Sequence, residues 1–191
     1  MQLPKRAFVF LRHGETEYNR EGRLQGRVDV PLNETGIFQA EATVAPLMTQ
    51  HVTRIVSSPA VRVLQTIRPF AEASGIPVQM DSGLWEYFVG SFEGKRISEI
   101  RETYKLEGPV SWLSVLPDDA EVWPEFVSRV CSAVSRWTEQ HSEETILIAA
   151  HGLVFFALVE SLTGSKMICR NAELHLFSPT DNGWTVTPIV T

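Results

Sequence analysis

Residues 7–15 read Ala-Phe-Val-Phe-Leu-Arg-His-Gly-Glu, an unbroken apolar run that gives way at Arg12 to charge and glycine. A strand with one wet face alternates apolar and polar residues, whereas a continuous apolar run suits a strand buried on both faces in a parallel sheet. The abrupt ending predicts a strand over 7–11 that delivers polar groups at its carboxyl end. The pattern returns at Thr145–Ala150, which ends in His151-Gly152. Arg54–Ser58, stopped by Pro59, and Val78–Met80 are shorter strand candidates.

Helical spacing fills the intervals. Asn33 is placed to cap a helix running to His51 with Ala40, Val44, Leu47 and Met48 on one face. A helix after Pro59 carries Val61, Leu64, Ile67 and Phe70 and ends at Gly75. A charged helix is expected over 95–105, another over 125–141 with Phe126, Val130, Val134 and Trp137 inward, and a third over 153–162 ended by Gly164. Residues 84–94 read as loop. Segments 173–177 and 184–190, joined through Asp181-Asn182-Gly183, form a hairpin. The predicted class is α/β: a three-layer sandwich with a mostly parallel central sheet, helices on both faces and an antiparallel C-terminal strand. A single domain over 1–191 is expected, with a lid-like excursion at about 95–124 that includes the boundaries Gly108-Pro109 and Pro117-Asp118-Asp119.

Composition narrows the functional classes. The chain has 191 residues, 43% of them apolar, and 17 basic against 23 acidic residues, a net charge of −6. That balance gives no field to attract nucleic acid or anionic lipid. The N-terminal apolar run is too short for a secretory core, and no later stretch approaches a membrane span. Two cysteines, Cys131 and Cys169, are too few for a disulfide framework, and a cytoplasmic protein is expected.

Ligands of such folds collect outside the carboxyl ends of the strands. There the chain puts Arg12-His13, Ser57-Ser58 with Arg62, and His151-Gly152. Guanidinium forks suit phosphate or carboxylate oxygens, and glycines beside each histidine let backbone N–H groups come close. The expected ligand is an oxyanion. His13, Glu15 and His151 are metal-ligand types, but the arginines would repel a cation, so no metal is expected. Ser57 and Ser58 suit helix capping better than nucleophilic attack. His51, His141 and His175 read as structural, Cys169 could be activated by Arg170, and Trp85, Phe88, Phe92, Trp112 and Trp123 line either a substrate pocket or the core.

Several motifs in fixed order resemble the histidine phosphatase superfamily, the phosphoglycerate mutase-like family. They are Leu11-Arg12-His13-Gly14-Glu15-Thr16 with Asn19, Gly22-Arg23-Leu24-Gln25-Gly26, Leu32 to Gly36, Ser57-Ser58-Pro59 with Arg62, Leu84-Trp85-Glu86, and Ala150-His151-Gly152. The resemblance implies two-step phosphoryl transfer without metal or other cofactor, in which His13 becomes phosphohistidine. It implies that Arg12, Arg62 and His151 hold the phosphoryl oxygens, with Asn19, Gln25, Gly26, Gly152 and Leu153 as further phosphate or substrate contacts. Glu86 matches the proton donor, which needs a raised pKa, with Trp85, Tyr87 and Phe88 as a candidate apolar wall. Glu15 and Glu17 are alternative acids.

Within the family, mutases place a lysine eleven positions after the acid, where this chain has Ile97, and an adjacent arginine pair that 97–128 lacks. Hydrolysis of a small phosphate ester is therefore expected over mutase-type transfer. A phosphoprotein phosphatase and a non-catalytic phosphate-binding protein are the alternatives. A Pro-Gly-Gly-Glu-Ser-type motif is replaced by Asp118-Asp119-Ala120-Glu121, read as a solvated acidic face. A homodimer through the C-terminal hairpin edge is a further expectation.

Overall fold

The computed structural model describes residues 2–108 and 110–190. Pro109 of the Gly108-Pro109 boundary therefore lies outside the described residues, as do the two termini of the expected 1–191 domain.

The chain order is β1 (Phe8–Arg12), α1 (Glu17–Arg20), α2 (Glu34–Ala42), α3 (Val44–Met48), β2 (Arg54–Ser57), α4 (Val61–Ser74), β3 (Val78–Met80), α5 (Ile97–Tyr104), α6 (Trp123–Gln140), β4 (Ile146–Ala150), α7 (Gly152–Thr163), β5 (Leu174–Thr180) and β6 (Gly183–Ile189). The sheet order is β3-β2-β4-β1-β5-β6. The first four are parallel, and β5 and β6 are both antiparallel to their neighbours, so the antiparallel part is a full hairpin. Register decides what meets at the carboxyl edge: Arg12 lies beside Ala150, and Ser57 beside Ala149.

The apolar strand runs feed two cores. Phe8, Phe10, Val56, Ile146 and Ile148 pack toward α6 and α7, while Val9, Leu11, Ile55 and Leu147 pack toward α3 and α4. Alternate residues of one strand thus serve opposite helical layers. Phe8 stacks on Phe177 with ring centroids 4.6 Å apart, and Phe10 meets Phe155 at 5.4 Å. Burying each of these side chains is worth about 1.5–3 kcal/mol. Helix α7 is apolar nearly all round because it lies between the sheet and α6.

Four local features differ from the sequence reading. The helix expected from Asn33 to His51 is two: Asn33 caps α2 through Gly36 N–H, but the chain breaks at Thr43, whose hydroxyl donates to Ala40 O at 2.7 Å. Pro46 has no N–H for the Ala42 carbonyl, and Met48 is left exposed. Strand β1 runs through Arg12. Helix α1 was not foreseen; a Thr16–Asn19 capping box builds it in one turn. Helix α6 starts at Trp123 because Pro124 is tolerated in a first turn.

Between α5 and α6 the backbone makes a 3₁₀ turn at Ser111–Val115, and the irregular 84–94 segment holds two more at Ser82–Leu84 and Gly90–Phe92. Among the described residues no helix is long and apolar enough to cross a membrane.

Candidate active site

Strand β1 carries His13 out of the sheet, buried to 2% exposure. Its Nδ1 lies 2.7 Å from Gly14 O. Burial, then the charges of Arg62 and Arg12, hold its pKa well below the ordinary imidazole value. A neutral ring against a carbonyl must donate Nδ1–H, which leaves the lone pair on Nε2. The loop after β1 is tied from several sides. Gly14 N–H donates to Thr66 Oγ1 at 2.9 Å, and Asn171 Nδ2 donates to His13 O and Gly14 O at 3.1 and 3.2 Å. A Cβ at Gly14 would meet Gly36 O at 2.7 Å, which is why glycine stands at this contact.

The register beside β1 brings in His151 and Ser58. The imidazoles of His13 and His151 meet edge to face with centroids 5.4 Å apart. His151 is buried, and that burial, followed by the Arg62 charge, lowers its pKa well below the ordinary value. Its Nε2 is 2.7 Å from Ser58 Oγ; with the hydroxyl donating to Nε2, the neutral ring carries its proton on Nδ1, the atom left without a partner. Ser58 was read as a helix cap. Instead α4 is entered through Ala60 without a side-chain cap, and the hydroxyl orients the histidine.

Arg62, on the first turn of α4, has 0% exposure. Its Nη1 and Nη2 donate to Val28 O and Gly26 O at 3.0 and 2.9 Å, and burial draws its pKa down against the opposing charges of Glu86 and Asp29. Arg12 Nη1 donates to Cys169 O at 2.6 Å, and its guanidinium lies against Gly152. Of the six side-chain polar atoms buried without a hydrogen-bond partner among the described residues, four lie at this site, Arg12 Nε, Arg62 Nε, His151 Nδ1 and Gln25 Oε1, while Arg101 Nε and His175 Nδ1 lie elsewhere. Such groups cost about 1–3 kcal/mol each when left unmet. Three of the four are donors on residues packed round His13, the chemistry of an oxyanion seat.

Glu86 approaches from the 84–94 loop. Its Oε1 accepts from Tyr87 N–H at 2.9 Å and Oε2 from Leu153 N–H at 3.2 Å. Burial raises its pKa, outweighing those bonds and the nearby Arg62 and Arg12 charges. The Leu153 amide, expected to contact phosphate, is thus engaged in holding the acid. Gly26 likewise turns its carbonyl to Arg62. Asn19 lines the cavity; its Oδ1 accepts from Thr16 and Asn171, so the donor it can offer is Nδ2.

The acid loop has a clamp that the sequence reading missed. Arg129 on α6 donates to Gly83 O, Trp85 O and Glu86 O at 3.0, 2.8 and 3.1 Å. It also pairs with Glu121 at 2.6 and 2.9 Å and stacks on Phe126 at 4.8 Å. Glu121 is therefore not part of a solvated face, since it accepts from Arg129, Arg27 and Phe88 N–H, whereas Asp118 and Asp119 are exposed, with Asp119 accepting from Ser91 N–H. The sequence signal was an arginine next to Val130 on the core-facing side of α6. Asn171, the tie on the His13 loop, gave none.

The residues set aside stay apart. Glu15 Oε1 is taken by Asn33 Nδ2 at 2.8 Å, and Glu17 pairs with Arg20. Among the described residues no group of three or more His, Cys, Asp or Glu is placed to hold a metal ion. Cys169 is buried rather than activated by Arg170, with its thiol pushed up to about 12 by burial. His141 stacks on Trp137, and His175 meets Phe155 at a tilt with centroids 4.6 Å apart, away from the site.

These groups line a cavity of about 300 Å³ with Arg12, His13, Arg62 and Glu86 at one end. Its remaining wall includes Leu24, Tyr87, Val89, Ile97, Trp112 and Ile168. Of the aromatic candidates Trp112 belongs to that wall, while Trp85 packs on the α3–α4 core, Phe92 in the other core, and Phe88 under Arg27.

The chain matches the family model of the histidine phosphatase superfamily, branch 1, over residues 8–190. A protein of Hydrogenobacter thermophilus named "Putative phosphoserine phosphatase 2" is 33% identical over 165 residues, covering 84% of this chain and 79% of that protein. A glucosyl-3-phosphoglycerate phosphatase of Mycolicibacterium vanbaalenii is 30% identical over 173 residues, covering 83% and 75%. The solved structure of a mycobacterial glucosyl-3-phosphoglycerate phosphatase with VO3 superposes with a TM-score of 0.82 at 25% identity, covering 96% of this chain and 98% of that one.

Proposed function

The chain belongs to the histidine phosphatase superfamily, and from that membership we propose that it hydrolyses a small phosphorylated metabolite, without metal, through a phosphohistidine at His13. The observation that carries this reading is a neutral His13, its Nδ1–H on Gly14 O, set among the unpartnered buried donors of Arg12, Arg62 and His151.

In the first step His13 Nε2 attacks phosphorus. The N–P bond forms, the ester P–O bond breaks, and Glu86 gives its proton to the leaving oxygen. Arg12, Arg62 and His151 take the charge of the equatorial oxygens as it redistributes. In the second step water attacks phosphorus, its proton passes to the Glu86 carboxylate, the N–P bond breaks, and inorganic phosphate leaves. Asn19 and Gln25 border the phosphate end. Gly152 lets the Arg12 guanidinium lie close, and Leu153 acts through Glu86.

Hydrolysis is favoured over mutase-type transfer because Ile97, in the position of the mutase lysine, lines the cavity as an apolar residue. The cavity of about 300 Å³ favours a small molecule over a phosphoprotein or nucleic acid. Residues 95–124 act as a lid-like excursion on a single domain, and the free, buried Cys131 and Cys169 fit a cytoplasmic protein. The half-exposed β6 edge is where two copies would pair; one monomeric mass in sedimentation overturns that pairing.

The test is phosphate release from p-nitrophenyl phosphate and a panel of phosphorylated metabolites in excess chelator, with His13→Ala as control. Turnover that persists in chelator and disappears in the variant is expected. Turnover that survives His13→Ala, or none with any substrate, overturns the proposal.

A further inference from the structure

Resting on that reading, we propose that the preferred substrate is the monoester of an uncharged, mainly apolar alcohol or phenol, and that Ile97, Trp112 and Ile168 select it against phosphorylated acids. The argument concerns the part of the cavity beyond the phosphate. Leu24, Tyr87, Val89, Ile97, Trp112 and Ile168 form this wall, and Ile168 stands 58% exposed on it. An apolar leaving group covers that surface and gains from leaving water, whereas a carboxylate placed there gives up hydration for nothing.

A phosphorylated acid needs a cation at this wall. Among the described lining residues, Arg23 is the one cation outside the phosphate end. It is already committed, with Nε paired to Glu21 and Nη1 donating to Gly94 O at 2.9 Å. Of the basic neighbours off the wall, Arg27 pairs with Glu121 at 3.3 Å, Arg96 lies 3.9 Å from both Glu21 and Glu99, and Lys95 lies over the Phe92 ring at 4.9 Å. Arg12 and Arg62 serve the phosphate itself. The outer wall thus offers mainly contact area, and its one cation, Arg23, is held away by Glu21 and Gly94 O with only Nη2 left to a ligand. The cavity of about 300 Å³ also bounds the alcohol to roughly one ring or a short chain beyond the phosphate.

The test compares esters of alkyl alcohols, all of which need the proton from Glu86, so that differences report binding more than leaving-group chemistry. The probes are benzyl and n-hexyl phosphate against O-phosphoserine and 3-phosphoglycerate. For the native protein kcat/KM is expected to be about 100-fold higher for benzyl phosphate than for 3-phosphoglycerate, the scale on which an unmatched polar group is rejected. Ile97→Lys should shrink that ratio about tenfold by gains on the acid, and Ile168→Ser should shrink it by losses on the benzyl ester. Trp112→Ala should do the same as Ile168→Ser, and Ile168→Ser carries the test on an exposed position if loss of a buried indole disturbs folding. A native preference for the acids, or a ratio unmoved by both Ile97→Lys and Ile168→Ser, overturns the inference while leaving His13-dependent hydrolysis standing. Absence of hydrolysis with every ester, or hydrolysis retained in His13→Ala, instead removes the proposed function on which the inference rests.

Discussion

The carboxyl edge of the sheet and the excursion over it are built on opposite plans. At the edge His13, Arg62 and His151 are at most 2% exposed, and each is held by a named partner: Gly14 O, Gly26 O and Val28 O, and Ser58 Oγ. In the excursion, α5 and the Ser111–Val115 turn bury only Ile100 and Trp112. The segment is tied at its start by Leu24 N–H to Lys95 O and Ile97 N–H to Gly22 O, and at its end by Glu121 to Arg129. The difference separates two tasks. Groups that meet the transferring phosphoryl must be preorganised, because reorientation during reaction costs rate. Groups that meet the leaving alcohol need only offer a suitable surface.

The largest effect that bears on this contrast is at the nucleophile. His13→Ala should lower kcat/KM by about 10⁴-fold or more on every ester, since the remaining oxyanion contacts have nothing to present to phosphorus. Steady-state kinetics on p-nitrophenyl and benzyl phosphate would check it, and loss confined to one of them would break the division between chemistry and selection. Glu86→Gln comes next. For alkyl esters, which need a proton on the leaving oxygen, the loss should be about 10²–10⁴-fold, while p-nitrophenyl phosphate should lose far less. Equal losses on both would remove Glu86 as the acid.

A smaller effect is expected at Ser58, which acts through His151. Without the hydroxyl, Nε2 of a buried ring loses its donor and the Nδ1–H tautomer is no longer imposed. Ser58→Ala should lower kcat/KM about tenfold with Thr restoring most of it, because a hydrogen bond of this kind contributes about 1–1.5 kcal/mol. A loss that Thr does not rescue would mark Ser58 as a packing residue and not a positioning one.

The edge was far more legible in the sequence than the excursion, for the same physical reason. A doubly buried strand needs an unbroken apolar run, so Phe8–Leu11 and Ile146–Ala150 announce themselves, and the chain just past such a strand marks where His13 and His151 fall. The bond from His13 Nδ1 to Gly14 O is seen only in the structure. What pattern could not give was the partner of a single polar atom. The Leu153 amide, Ser58 Oγ and Asn171 Nδ2 found their roles through contacts across 67, 93 and 158 positions of chain. Arg129 was hidden for a related reason: its carbonyl acceptors lie on a loop whose path depends on the arginine itself. In the excursion the Glu121 pairing reversed, for that residue alone, a reading made from charge, because an acid in a charged run looks solvated until the half-buried guanidinium of Arg129 is placed beside it.

The finest effect is in the pH profile, where the nucleophile at the edge and the acid on the loop that leads into the excursion act with opposite sign. Attack requires His13 unprotonated, so kcat/KM rises with pH through its pKa. Burial and the arginines lower that pKa, which puts this acid limb below about pH 6.5. Donation requires Glu86 protonated, so the rate falls as pH passes its pKa. Burial raises that value, which puts the alkaline limb above about pH 4.3. The substrate's own phosphate titrates near pH 6 and overlaps both limbs, so the absolute profile is ambiguous. The ratio of native to Glu86→Gln rates on one alkyl ester is not, since the substrate and His13 cancel from it. That ratio should be flat at low pH and decline toward the alkaline side with a single inflection at the Glu86 pKa. Arg129→Ala, which frees the acid loop from Gly83, Trp85 and Glu86 carbonyls and admits water to the carboxylate, should move the inflection down toward the ordinary carboxylate value. An inflection that stays in place would mean the loop keeps Glu86 buried without its clamp, and the contrast between a rigid edge and an adjustable cover would then have to be drawn beyond Glu86.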